Sequence, residues 1–169
     1  MANNVKTPEA RLSFPNLLKT DKKGKFSASL LFKKGQNLDV LKDAVNALLN
    51  EKFGDKSKWP KGLRMPFRDQ GEKDFPGYEE GAVFINARAN RRPLVIDAQR
   101  NDILEEVELY AGAYVYASLT PFYYEAEGNK GVSFGLNAVQ KIRDGEPLGG
   151  RPDVRGDFEV LEVKEDPFA

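Results

Sequence analysis

Val83-Phe-Ile-Asn-Ala-Arg-Ala-Asn-Arg-Arg92 and Tyr110-Ala-Gly-Ala-Tyr-Val-Tyr-Ala-Ser118 decide the fold, because both alternate strictly. Successive side chains of a β-strand point to opposite faces. On that period one face is small and apolar: Val83, Ile85, Ala87 and Ala89, then Ala113, Val115 and Ala117. The other carries Phe84, Asn86, Arg88 and Asn90, then Tyr114 and Tyr116. Each stretch therefore reads as a strand with one core face and one displayed face.

Working outward, Ala10–Phe14 alternates like a short strand that Pro15 breaks, and Asp21–Gly24 is a turn. Phe26–Phe32 follows as a second strand, with Phe26, Ala28, Leu30 and Phe32 on one face. Val40, Leu41, Ala44, Val45, Leu48, Leu49 and Phe53 recur at helical spacing and predict a helix over about 38–53. Asn37 or Asp39 is placed to cap its start and Gly54 its end. Residues 55–82 are loop-rich, and Pro93–Asp97 reads as extended. Asp102–Glu105 resembles a capping box opening a helical turn. Strands Gly112–Tyr124 and Val132–Ile142 flank a Glu127–Gly131 turn, with Pro121 and Gly135 marking bulges or corners.

Five or six strands, one helix and glycine/proline corners predict a mainly β fold: an OB-like five-stranded barrel. The helix is inserted after the second strand and the chain ends in an acidic tail; a β-sandwich is the alternative. Residues 1–150 read as the folded domain and 151–169 as the tail.

The chain has 169 residues, enough for one domain with a real core, and its 31% charged content is that of a water-soluble protein. It has no long apolar run and no apolar signal core near Met1, and there is no Cys for disulfide chemistry. His is also absent, which removes the commonest general base and transition-metal ligand. Net charge is zero but uneven. Residues 1–34 hold eight Lys/Arg against two acids, and residues 56–73 hold six against two. Residues 153–169 hold six acids against Arg155 and Lys164. A basic body with an acidic tail can bind polyanions despite zero mean charge.

Aromatics mixed with Arg and Asn suit a strand of unstacked bases, which offers π-faces, base edges and phosphates together. On that reading Arg88, Arg91 and Arg92 contact phosphates, Asn86 and Asn90 reach base edges, and Phe84, Tyr114 and Tyr116 are stacking platforms. Trp59, among Lys56, Lys58 and Lys61, and Arg68 are loop residues expected beside the face. The alternative is that these aromatics form a second core face under the helix or a long loop, with Trp59 a loop anchor. In the tail, Glu165, Asp166 and Phe168 form an acidic, aromatic end suited to docking on a basic partner. No Walker loop, dinucleotide fingerprint or nucleophile elbow is present.

Gly81–Asn90 with Arg91-Arg92-Pro93, Tyr110–Ser118, Gly131–Lys141 and Gly145–Arg151 together resemble a phage family of single-stranded-DNA-binding proteins. The resemblance runs across nearly the whole chain. It implies an OB fold and a sequence-independent coat on single strands in phage DNA replication, recombination or repair. The tail resembles those of replication binders that recruit polymerases and other proteins, although here Ala169 follows Phe168. The reading is thus a non-catalytic binder with no cofactor and no metal, in the cytoplasm of the bacterial host. Expected partners are single-stranded DNA, duplex DNA in a weaker mode, replication proteins through the tail, and a second copy as a homodimer. The rivals are a phage structural or interaction protein with a β-barrel fold and a magnesium-dependent nuclease using Asp97, Asp102 and nearby Glu.

Overall fold

The alternating stretches become two strands of a closed ring. The computed structural model describes residues 4–148 and 159–161. Its elements are β1 (Val5–Lys6), β2 (Ala10–Asn16), β3 (Phe26–Leu31), α1 (Asp39–Phe53), β4 (Arg68–Asp69), β5 (Val83–Ala89), β6 (Leu94–Ile96), β7 (Tyr114–Ala126) and β8 (Asn129–Arg143). β2 pairs with β3 and β3 with β5, both antiparallel. β5 pairs in parallel with β8, β8 antiparallel with β7, and β7 returns to β2. These five strands close an OB-like ring, with the helix after the second of them as the sequence predicts. β1 extends the sheet beside β7, β4 beside β5 and β6 beside β8.

The small apolar faces point into the ring. Ile85, Ala87, Ala113, Val115 and Ala117 join Leu12, Leu30, Leu119 and Phe134 in one buried cluster. Helix α1 adds Leu41, Val45 and Leu49, and Val40 is left exposed. Burying each such side chain stabilises the fold by about 1.5–3 kcal/mol. Asn37 Oδ1 accepts the Asp39 N–H at 2.8 Å at the helix start. At its end the Gly54 N–H donates to the Asn50 carbonyl, and Gly54 sits at φ 89°.

Two local expectations are corrected. Residues 102–105 open no helical turn: Asp102 bridges Ile96, and the Ile103 N–H donates to the Val95 carbonyl at 2.9 Å. Ile103 is buried, so its apolar side chain overrides the capping pattern, and the turn forms at Glu106–Glu108. Pro121 marks no bulge: it lies opposite Phe134, and β7 is irregular at Tyr114/Val115 and Ser118/Leu119 instead. β7 pairs with β2 as far as Val115 and with β1 as far as Leu119, so the missing proline N–H at Pro121 interrupts neither ladder.

Candidate nucleic-acid interface

Register places the outward residues in rows across the ring. Phe84 lies opposite Leu31, Leu31 opposite Arg11, Arg11 opposite Tyr114, and Tyr114 opposite Arg143. The next row runs Asn86, Ser29, Ser13, and beyond it Arg88 lies between Ser27 and Gly135. The predicted residues thus share the outer surface but form two groups, with β2 and β3 between them.

The first group is on β5 and the turn after it. Asn86 Oδ1 accepts from the Ser29 hydroxyl at 2.5 Å, and the Lys25 ammonium donates to Asn90 Oδ1. Arg88, Asn90, Arg91 and Arg92 are exposed. They line an open cleft of about 480 Å³ whose far wall is Gly135–Asn137 of β8. The cleft opens because β8 pairs with β5 only through Phe134 and Gly135, then with β6 from Ala138. Gly135 brings no side chain to that wall, so a ligand can approach the backbone.

The second group is on β7. The Arg143 guanidinium lies 4.2 Å and that of Arg11 5.7 Å from the Tyr114 ring centre. Lys6 Nζ lies 4.1 Å from that of Tyr116. The rings therefore act here as seats for cations. Arg143 is also ion-paired with Glu9, whose carboxyl that hydrogen bond holds below its ordinary pKa. Arg11 donates to the carbonyls of Gly112 (3.2 Å) and Glu146 (2.5 Å). Gly112 allows this crossing: it has φ 113°, and the Glu146 backbone fills the space a Cβ would need.

Three predicted residues are placed otherwise. Phe84 is 1% exposed, against its expected display, because the loop between β4 and β5 folds over it. The Tyr78 ring meets it edge-on at 5.7 Å and the Arg68 guanidinium lies 5.2 Å above it. Arg68 itself donates twice to Glu72 Oε2, at 3.0 and 2.7 Å. Trp59 is half-buried against the core, and its indole N–H donates to the Gly54 carbonyl at 3.1 Å, as the anchoring alternative has it. Glu165, Asp166 and Phe168 lie outside the described residues. Asp97 of the nuclease alternative accepts the Gln99 and Asn101 N–H groups at 2.9 Å, closing its own turn.

The site also holds residues the sequence reading missed. Arg11 was legible, since it alternates with buried Ala10 and Leu12. Lys25 and Ser29 depend on which strands become neighbours, which no local pattern gives.

Residues 3–168 match the family model described as Enterobacter phage Enc34, ssDNA-binding protein. The chain belongs to the Enc34 family of single-stranded-DNA-binding proteins. One relative of this Enc34-family chain is the putative protein p50 of Acyrthosiphon pisum secondary endosymbiont phage 1, 31% identical over 161 residues and 86% of each sequence. The single-stranded DNA-binding protein from bacteriophage Enc34, solved in complex with ssDNA, is 25% identical, with a TM-score of 0.70 over 86% of this chain and 89% of that one. The single-stranded DNA-binding protein gp2.5 of bacteriophage T7 shares the fold at 13% identity, with a TM-score of 0.67 over 98% of this chain and 100% of that one.

Proposed function

We propose that the chain binds single-stranded DNA without sequence preference and organises exposed strands during phage DNA replication, recombination or repair. The observation that carries this is the outward run Asn86, Arg88, Asn90, Arg91 and Arg92, leading into the cleft beside Gly135 in a chain of this family. Arg88, Arg91 and Arg92 hold phosphates, and Asn86 and Asn90 meet base edges. Tyr114 and Tyr116 seat Arg143, Arg11 and Lys6 where a further stretch of backbone crosses β7. Nothing in this set reads a base pair, so duplex DNA is the weaker, electrostatic ligand. The acidic tail with Phe168 is the segment that meets replication proteins.

The test is an anisotropy titration of labelled oligo-dT and a matched duplex at two salt concentrations. Tighter binding to oligo-dT, falling with salt, is expected. Arg88→Ala should weaken it and flatten the dependence of log K on log salt by about 0.7, the loss of one single-strand phosphate contact. No binding to either ligand by the folded protein would sink the reading.

A further inference from the structure

Phe14 occupies a position where strand alternation calls for burial, in step with Ala10 and Leu12, yet it is 53% exposed. The cause is a bulge. Ser13 pairs with Ser29 and Asn16 with Ser27, so two residues of β2, Phe14 and Pro15, face one of β3. Phe14 takes φ 45°, a left-handed conformation disfavoured for a side chain of this size and disfavoured again by the following proline. Asn16 holds the bulge from both sides: its amide donates to the Phe14 carbonyl at 3.3 Å and to the Ser27 hydroxyl at 3.2 Å. Strain that neighbouring side chains hold in place points to a use for the residue it displays.

The displayed ring has a partner. Phe75, 43% exposed, meets it edge-on at 4.9 Å between ring centres. Phe75 in turn contacts Tyr78 at 5.5 Å, and the Tyr78 hydroxyl donates to Ser13 Oγ at 2.9 Å. Phe75 is therefore held over the outer face through Phe14 and through Tyr78, whose hydroxyl bonds Ser13 opposite Ser29. The loop beneath it is stapled by buried Gln70, whose amide donates to the Phe32 and Val83 carbonyls and accepts the Glu79 N–H.

We propose that Phe14 and Phe75 are base-stacking residues, seating an unpaired base on the β2–β3 side of the face while Arg88 holds the strand's phosphates. The assignment rests on the single-strand reading above and adds to it the residues that select unpaired bases. A half-exposed aromatic pair beside polar and cationic groups offers a base a π-surface and its backbone a counter-charge. Neither Phe contributes to phosphate binding, which separates its signature from that of the arginines.

The test compares oligo-dT with an abasic strand of equal length, carrying the same phosphates. Wild type should favour oligo-dT. Phe75→Ala and Phe14→Ala should each lose roughly 10-fold on oligo-dT, keep their affinity for the abasic strand, and leave the salt slope unchanged. Phe75 is on an exposed loop, so that variant keeps the fold, and Phe14→Gly serves where Phe14→Ala does not. A Phe75→Ala protein matching wild type on both strands would overturn the assignment. Wild type binding neither strand would remove the single-strand reading, and the assignment with it.

Discussion

At the scale of single residues, most charges of the face are held by something else before any ligand arrives. Glu9 shows how. Its hydrogen bond to Arg143 lowers its carboxyl pKa from the ordinary 4.5, and Arg143 rises correspondingly. A carboxyl lowered on folding stabilises the native state above its unfolded pKa, and that stability is lost as pH falls through the lower folded value. Asp144 follows the same sign, lowered first by its bond to Lys141 and then by that to Tyr110. Melting temperature should therefore fall as pH drops below about 4.5. Glu9→Gln should melt below wild type at neutral pH and approach it in acid, as thermal scans across pH would read. The same residues show what the sequence could reveal. Arg88 and Asn90 were legible as displayed because their inward neighbours Ala87 and Ala89 are small and apolar. Phe84 is displayed in the sequence reading and buried in the fold because alternation gives the side of the sheet a residue takes, and cannot say that the loop just before β5 returns Tyr78, six residues upstream, to cover that side.

At the scale of elements, the loop between β4 and β5 covers one end of the outer face and carries Phe75 onto it. It has little regular structure, but Gln70 gives it a fixed shape. Gln70 is buried, and its side chain meets three backbone groups: the carbonyls of Phe32 and Val83 and the N–H of Glu79. Asp69 adds bonds from the Gly71 and Gly81 N–H groups at 2.7 and 3.0 Å. Gln70→Ala should cost about 1–3 kcal/mol, measured by urea unfolding, since the Phe32 carbonyl and the Glu79 N–H lose this partner, while the Val83 carbonyl keeps the Phe32 N–H. The same variant should loosen Phe75 and lower affinity for oligo-dT more than for the abasic strand. The regular elements were legible: α1 from its 3.6-residue period, and β7 and β8 from alternation on either side of a turn where Glu127 has φ 52° and Gly128 φ 80°. The bulge at Phe14–Pro15 was half-legible. Pro15 announces an interruption, but which way the chain turns depends on Asn16 finding Ser27 across the hairpin.

At the scale of the whole molecule, the ring was read correctly because its parts carry strong period-2 signals and no element demands another partner. What stayed out of reach was the order of neighbours. β5 closes the ring through β8, some 45 residues later in the chain, and only through Ala87–Phe134 and Arg88–Gly135. That brief parallel contact both completes the core and opens the arginine-lined cleft. Leu119→Ala, at the buried centre of β7, should destabilise the whole ring by about 2–5 kcal/mol in urea while the unfolding transition stays single.

The closure also bears on how the protein comes into being. While a ribosome is still adding residues 90–143, strands β2, β3 and β5 have been made, but the outer edge of β2 lacks β7 and that of β5 has only the two residues of β4. At about 5–20 residues per second that interval lasts roughly 3–11 s. Until it ends, the nascent chain carries two open sheet edges and an uncovered apolar face, the state most prone to pairing with its own kind. A message cut short anywhere before β8 would release a chain fixed in that state, so premature termination should yield aggregates in place of smaller working domains.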